Sequence, residues 1–397
     1  MTKFFLKRCV HPGEDPQGTL VRERCGKVAG AVGICLNALL FAGKFAVGSL
    51  TGSVSIVADA VNNLSDAGSS VISLVSFKMA NKPADRKHPF GHARIEYIAS
   101  MIVAFLILLL GVELIQSSIQ KILHPELAAL NWVTVGVLLA SIGAKLWLFC
   151  FNRSLGRRLD STVMQATATD SLSDVLATSA VLLSTVLSPL IGFSLDGYMG
   201  VVVAVFILVS GILIVRDTFD LLLGKAPKQD FIDMIDQFVR KYEGVVGVHD
   251  LMVHSYGPNR CFASVHVEVD AAENIMKSHD TIDNIERDIL AEKGVHLVIH
   301  LDPVVTDDPC ANALKQATQG VLAGIDSSLT MHDFRVVYGH THSNLIFDVV
   351  VPFGFPLGDE ELAQAIERGV KAVNPNFYAV VTLDRSYVTA PSRRTVD

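Results

Sequence analysis

Six long apolar segments lie in the first 215 residues, and they constrain the fold more than any other feature of the chain. They cover residues 28–50, 54–77, 95–120, 131–151, 163–187 and 198–215. A helix needs about 20 mostly apolar residues to cross a bilayer. The sixth segment, YMGVVVAVFILVSGILIV, has no charged residue, whereas carboxylates interrupt the second and the fifth. The pattern predicts a domain of six transmembrane helices.

The rest of the chain has a different composition, which predicts a folded soluble part. Residues 226–397 contain 14 Lys and Arg against 25 Asp and Glu, and they hold nine of the 13 histidines. This acidic balance excludes a basic surface for nucleic acid, so no nucleic-acid partner is expected. Half of the whole chain is hydrophobic and only 18% is charged, which excludes a disordered protein.

The basic residues are distributed unevenly among the predicted loops. If the N-terminus is inside the cell, the inner segments hold 17 Lys and Arg residues and the outer segments hold only Lys121. The positive-inside rule then places both termini and the acidic tail in the cytoplasm. We therefore expect a multi-pass protein of the cell membrane.

The tail contains an internal repeat with an offset of 82 or 83 residues. VHDLMVHSYGP at 248–258 is similar to MHDFRVVYGHT at 331–341, and LVIHLDP at 297–303 is similar to AVVTLDR at 379–385. Each copy has the pattern helix, strand, strand, helix, strand. The predicted domains are a cytoplasmic N-terminal segment (1–27), the transmembrane domain (28–225), a first αββαβ unit (226–306) and a second repeat of it (307–397).

Two apolar segments carry polar residues four positions apart, so that each pair shares a helix face. Asn62 and Asp66 lie in the second segment, and Asp170 and Asp174 lie in the fifth. Carboxylates at bilayer depth are typical of ion or proton pathways. Three at one level repel one another unless a cation or protons neutralise them. A polar helix-packing seam is the alternative, but it does not explain three acids. The pattern predicts a divalent cation site.

The donor atoms of this predicted site indicate the kind of metal. All four side chains offer hard oxygen atoms, which suit manganese better than zinc or copper, and Fe²⁺ stays possible. Lys44 of the first segment and Lys145 of the fourth are expected to extend their ammonium groups toward an interface instead.

Two further groups have the residue types of metal ligands. In the loop ADRKHPFGHARIE, Asp85, His88 and His92 are spaced around a turn, although loop histidines are more often solvated. The tail holds a larger set in its first repeat, His249, His266, His279, His300 and Asp302. Five ligand-type residues in one small unit predict a binding site, and scattered surface histidines are the alternative.

The second repeat keeps fewer of these residue types. Its matching positions are His332, Asp348, Thr382 and Asp384. Asp348 stands where the first repeat has His266, and Thr382 stands where it has His300. Because two imidazoles are lost, a metal site in the second repeat is not expected.

These motifs resemble the cation diffusion facilitator family, through NNLSD, DSLSD, the loop ADRKHPFGHARIE and the histidine-bearing tail. The resemblance covers roughly residues 25–305. It implies a homodimeric metal/proton antiporter with six spans, followed by metallochaperone-like, ferredoxin-like α+β domains, here in tandem. It also implies a transport site at Asn62, Asp66, Asp170 and Asp174, a loop site at Asp85, His88 and His92, and a binuclear site at His249, His266, His279, His300 and Asp302.

The Asn/Asp and Asp/Asp pairs resemble the manganese-exporting branch, because zinc-type members often carry His or Asp at the position of Asn62 and His at that of Asp170. The sequence therefore predicts export of Mn²⁺ against protons by alternating access. The expected partners are a second copy of the chain, the lipid bilayer, divalent cations and protons, with the metal as cargo and no cofactor. Export of Zn²⁺ or Fe²⁺ and a membrane-anchored metal sensor are the alternatives. No nucleophile–base set and no GxxxxGK[ST] loop occurs, so neither an enzyme nor ATP-driven transport is expected.

Overall fold

A computed structural model describes residues 19–51, 54–125, 132–191, 193–258 and 260–385. Residues 1–18 of the predicted N-terminal segment, residue 131 of the fourth segment and residues 386–397 of the second repeat lie outside this part. The chain forms two compact units, Met1–Lys225 with Tyr256–Arg260, and Ala226–Ser255 with Cys261–Asp397.

The described residues of the first unit form six long helices, and every predicted apolar segment corresponds to one of them. They are α1 (Thr19–Thr51), α2 (Val54–Ala80), α3 (Ile95–Leu123), α4 (Trp132–Leu159), α5 (Thr162–Ile191) and α6 (Asp196–Leu223). In the described part of the chain, five of the six are long and apolar enough to cross a membrane, all except α2. The polar run VNNLSDAGSS interrupts the apolar sequence of α2. The predicted helical membrane domain is confirmed.

Glycines let α1 approach α2 closely, and the two helices form a hairpin. Gly26 faces the ring of Phe77, and a Cβ atom on Gly30 would lie 2.6 Å from Cβ of Leu74. Any larger residue at these positions would collide with the partner helix. The same kind of contact, small residues at a helix interface, drives helix association in lipid.

A second hairpin consists of α4 and α5, which are joined by only two residues. Leu148, Phe151 and Leu155 of α4 are buried with Val163 and Met164 of α5 in one apolar cluster. In the connection, the backbone N–H of Ser161 donates to the Gly156 carbonyl at 2.9 Å, and the short turn fixes the two helices side by side.

Up to residue 385, the described part of the second unit contains two three-stranded sheets, one from each repeat. The first repeat is α7 (Gln229–Arg240), β1 (Val245–Ser255), β2 (Cys261–Asp270), α8 (Ile275–Lys293) and β3 (Val295–Val304). The second is α9 (Pro309–Ile325), β4 (Thr330–Tyr338), β5 (Ser343–Val351), α10 (Asp359–Val373) and β6 (Phe377–Arg385). In each sheet the middle strand pairs antiparallel with the first strand and parallel with the third. The predicted order of elements in both repeats is confirmed.

Each sheet has its own apolar core, formed by the alternating strand residues and one face of each helix. In the first repeat, Val265 and Val267 of β2 pack with Ile285 and Ile289 of α8. In the second, Phe347 and Val349 of β5 pack with Leu362 and Ile366 of α10, among others. Alternation places the other side chains of the strands, including the histidines, on the opposite face of each sheet.

Both repeats contain the same irregularity in the first strand of their sheet. The pairing of β1 with β2 shifts after His249, and the pairing of β4 with β5 shifts after His332. Asp250 and Asp333 occupy these bulges with φ of 51° and 50°. Aspartate tolerates this left-handed conformation better than most residues. A bulge bends the strand that contains it, so β1 bends next to His249 and β4 bends next to His332.

Candidate metal centres

Helices α2 and α5 meet in the membrane unit, which was the central expectation from the sequence. The hydroxyl groups of Ser73 on α2 and Thr167 on α5 share a hydrogen bond of 2.8 Å. Asp66 and Asp170 are buried, and Asp174 is mostly buried. The two acidic motifs therefore lie in the interior of the bundle and not on its lipid-facing surface.

A lysine from a third helix occupies the space between two of these carboxylates. The ammonium group of Lys145 on α4 donates to Oδ2 of Asp66 at 2.6 Å and to Oδ2 of Asp174 at 2.7 Å. Lys145 is only 3% exposed, and Lys44 is equally buried. The expectation that these lysines extend toward an interface is therefore wrong. Buried carboxylates need a positive partner, and Lys145 supplies it.

The remaining members of the predicted tetrad lie around this ion pair. Asp170 is one turn before Asp174 on α5 and interacts electrostatically with Asp66, Asp174 and Lys145. Asn62 is one turn before Asp66 on α2 and is half-buried. Among the described residues, three groups have ligand atoms that all lie within 4.8 Å of one another. The three carboxylates of the membrane unit do not form such a group. The arrangement binds one positive charge, and it would have to contract around a metal ion.

The loop between α2 and α3 brings its three predicted ligands together. Nδ1 of His88 lies 3.4 Å from Oδ1 of Asp85, and Nε2 of His92 lies 3.5 Å from Oδ2 of the same carboxylate. Gly91, with φ of 88°, allows the turn between the histidines, and its N–H donates to the His88 carbonyl at 3.0 Å. All three ligand atoms lie within 4.8 Å of one another.

Hydrogen bonds prepare this loop cluster for a cation. Nδ1 of His92 lies 3.2 Å from the Pro83 carbonyl and 3.3 Å from the Lys82 carbonyl, so Nδ1 carries the proton and the lone pair of Nε2 faces Asp85. The backbone N–H of His88 and the Lys82 ammonium hold the pKa of the Asp85 carboxyl well below its usual range. Asp85 therefore stays ionised throughout the physiological pH range.

Strand pairing assembles most of the predicted tail site. His249 is opposite His266 in the sheet, and His266 is beside His300. Asp302 is the common neighbour: its carboxylate lies 2.8 Å from Nδ1 of His266, 3.4 Å from Nε2 of His249 and 3.3 Å from Nε2 of His300. His249, His266 and Asp302 form a group within 4.8 Å.

His279, the fifth predicted ligand of the tail, does not join this group. It lies on α8 with its side chain 66% exposed, and its Nδ1 is 3.6 Å from Asp283. The sequence predicts that His279 lies on a helix, but it does not predict how far this helix position lies from the strand residues.

Comparison with known proteins agrees with this architecture. The profile of the cation efflux transmembrane domain matches residues 31–223, and that of the cation efflux protein cytoplasmic domain, a dimerisation domain, matches residues 227–304. A transporter of Methanocaldococcus jannaschii is 30% identical over 261 residues, which are 63% of this chain and 92% of that protein. The chain belongs to the cation diffusion facilitator family. It is a multi-pass membrane transporter for the efflux of divalent cations, and not an enzyme.

Other family members are similar over the same share of the chain. The cation-efflux pump FieF of Escherichia coli K12 is 31% identical over 255 residues, which are 64% of this chain and 84% of the pump. FieF of Pectobacterium carotovorum is 30% identical over 255 residues, with shares of 64% and 85%. The cytoplasmic dimerisation domain indicates that this facilitator forms a homodimer.

The second repeat lies beyond residue 304, where the family profiles end, and it contributes His332, for which the sequence argument expected no metal site. His249, Asp250 and His332 form a third group whose candidate atoms lie within 4.8 Å. Burial opposes the charged form of His249, but Asp250, Glu268 and Asp302 outweigh it and raise the pKa of the imidazole. The repeat alignment pointed to His332, whereas the bulge that directs Asp250 left no signal in the sequence.

Proposed function

We propose that this facilitator exports Mn²⁺ from the cytoplasm in exchange for protons, with Asn62, Asp66, Asp170 and Asp174 as the transport site. One observation carries the proposal. Asp66 from α2 and Asp174 from α5 already hold one buried positive charge between them, the ammonium group of Lys145. A divalent cation would use the same two carboxylates, and its two positive charges attract them more strongly than the single charge of the ammonium group does.

The choice of metal follows from the donor atoms. The four proposed ligands provide three carboxylates and one amide, with neither imidazole nor thiolate. Oxygen-only sets suit Mn²⁺, whereas nitrogen and sulfur ligands favour Zn²⁺ and Cu²⁺. A zinc or iron exporter with the same architecture is the alternative within the family.

Lys145 compensates the negative charge of the site when no metal is bound. When no metal is bound, its ammonium group neutralises part of the acidic site, which would otherwise be an uncompensated buried charge. Entry of a dication displaces the ammonium group from one or both carboxylates. On the outer side, protons on the aspartates help to release the ion, and Asn62 takes no part because an amide does not titrate in this range.

The loop and tail clusters have a separate part in this proposal. Asp85, His88 and His92 bind metal next to the membrane unit, and His249, His266, His300 and Asp302 bind metal in the first repeat. Both lie on the cytoplasmic side in the proposed orientation. We propose that occupancy of these sites responds to the cytoplasmic metal concentration and biases the transport equilibrium.

Reconstituted protein tests the proposed cargo and coupling. In proteoliposomes with an imposed pH gradient, we expect uptake of Mn²⁺ that accelerates when the interior is acidic, together with alkalinisation of the lumen. Uptake of Zn²⁺ and Fe²⁺ should be slower at equal concentration. Mn²⁺ transport without any movement of protons would contradict antiport, and a clear preference for Zn²⁺ would contradict the assignment of manganese.

A single substitution tests whether donor type determines selectivity. Asn62→His places an imidazole in the proposed site, and we expect the ratio of Zn²⁺ to Mn²⁺ transport to rise about tenfold or more, since about 1.4 kcal/mol of preferential binding has that effect. Asn62→Gln keeps an oxygen donor and is the matched control. An unchanged ratio in Asn62→His would count against Asn62 as a ligand.

A further inference from the structure

The two repeats of the α+β unit contact each other at a pair of stacked imidazole rings. The ring centroids of His249 and His332 are 4.1 Å apart and the rings are inclined by 24°. These histidines occupy corresponding positions in the two repeats. Beside them, the backbone N–H of Asp333 points at Oε1 of Glu268 at 3.5 Å. The His-Asp pair of the second repeat, His332 and Asp333, thus contacts the first repeat of the same chain.

Carboxylates from both repeats surround this pair of rings. Nδ1 of His249 is 3.2 Å from Oδ2 of Asp250. Nε2 of His332 is 3.5 Å from Oδ1 of Asp250 and 3.7 Å from Oδ2 of Asp384. Asp384 of the second repeat corresponds to Asp302 of the first. Two imidazoles and two carboxylates therefore converge where the sheets meet.

The described residues offer His332 no hydrogen bond that accounts for its burial. It is 8% exposed, and within this part of the chain neither of its ring nitrogens has a hydrogen-bond partner. An unsatisfied buried polar group destabilises the folded state. Its distances to Asp250 and Asp384 are longer than N–H···O bonds. They are close to the separation of about 3.3 Å between neighbouring ligands of a tetrahedral ion with bonds of about 2.0 Å.

We propose that the second repeat completes a divalent transition-metal site at this junction, with His249, Asp250, His332 and Asp384 as ligands. Mixed imidazole and carboxylate ligands suit Zn²⁺ and its neighbours, in contrast to the oxygen-only set in the membrane. An ion here satisfies His332 and joins the second repeat to the first. The proposal does not depend on which metal the membrane site transports.

The junction site shares His249 with the cluster of the first repeat. A neutral imidazole has one nitrogen free to ligate. His249 therefore serves either the junction, where Asp250 is its neighbour, or the cluster with His266 and Asp302. A count of the ions bound at the junction therefore requires that the competing ligands be removed without touching His249.

Zinc binding to a full-length variant tests the site. Asp85→Ala, Asp174→Ala, His266→Ala and His300→Ala together remove ligands of the membrane, loop and first-repeat clusters. By equilibrium dialysis with Zn²⁺, we expect this background to bind one ion per chain. Adding His332→Ala or Asp384→Asn should weaken that binding at least about tenfold. His340→Ala, an exposed histidine of the same repeat, should leave it unchanged. No zinc in the background, or equal binding after His332→Ala, would overturn the proposal.

Hydrogen exchange on the otherwise unaltered protein gives an independent result if the combined variant does not fold. Zn²⁺ should slow amide exchange in β4, Thr330–Tyr338, as well as in β1, since the ion links both strands. Protection of β4 should disappear in His332→Ala and persist in His340→Ala. Protection confined to the first repeat in the wild-type chain would show that the second repeat holds no ion. Loss of transport in Asp174→Ala would not affect either measurement.

Discussion

Asp174→Ala is expected to abolish Mn²⁺ transport while leaving a folded protein. Asp174 is one of the two carboxylates that hold the buried ammonium group of Lys145, at 2.7 Å. A lost charge-assisted contact of about 3 kcal/mol lowers a rate or an affinity about 100-fold. Lys145 keeps Asp66 as a partner in this variant, so the helical bundle retains part of its internal compensation.

Proteoliposome flux measures this effect, and size-exclusion chromatography in detergent checks the fold. Glu113→Gln is the matched control, because it removes an exposed carboxylate from α3 without touching the ion pair. Transport by Asp174→Ala at the wild-type rate would rule out Asp174 as a ligand of the transported ion.

Lys145→Met should make the stability of the membrane unit depend on metal. The substitution leaves Asp66 and Asp174 without their buried cation, and breaking such a pair costs about 3–5 kcal/mol. Mn²⁺ restores the missing positive charge, so it should raise the unfolding temperature of the variant much more than that of the wild-type protein. Its affinity for Mn²⁺ should also rise, because no ammonium group competes for the carboxylates.

Thermal unfolding of the purified protein, with and without Mn²⁺, tests this expectation. Lys121→Met removes an exposed lysine of α3 and should behave like the wild-type protein. An unfolding temperature of Lys145→Met equal to that of the wild type in metal-free buffer would mean that Lys145 does not compensate the acids.

The helices and the tandem repeats could be predicted because each depends on a pattern that extends over many residues. Apolar length located all six helices, although carboxylates interrupt the second and the fifth segments. The proximity of Asp66 to α5 could be predicted because a carboxylate in lipid is energetically unfavourable and is typical of a shared ion site. Lys145 was misjudged because a lysine within an apolar segment has the same sequence signature whether it extends to the interface or neutralises an acid on another helix.

The tail shows a similar limit. His249, His266 and Asp302 could be grouped because strand pairing brings equivalent positions together. His332 was discounted because its own repeat lacks the other imidazoles, and its neighbours come from the first repeat instead. Asp250 depends on a bulge with positive φ, which a sequence pattern of alternating residues does not predict.

The glycine-packed hairpin of α1 and α2 has a consequence for how the transporter moves. Because Gly26 and Gly30 leave no room between these helices, α2 cannot shift without α1, and the short turn joins α4 to α5 in the same way. Asp66 belongs to the first hairpin, whereas Lys145, Asp170 and Asp174 belong to the second. In the proposed transport site, the bound cation would lie between two rigid bodies, so that separation of the hairpins and release of the ion would be a single event.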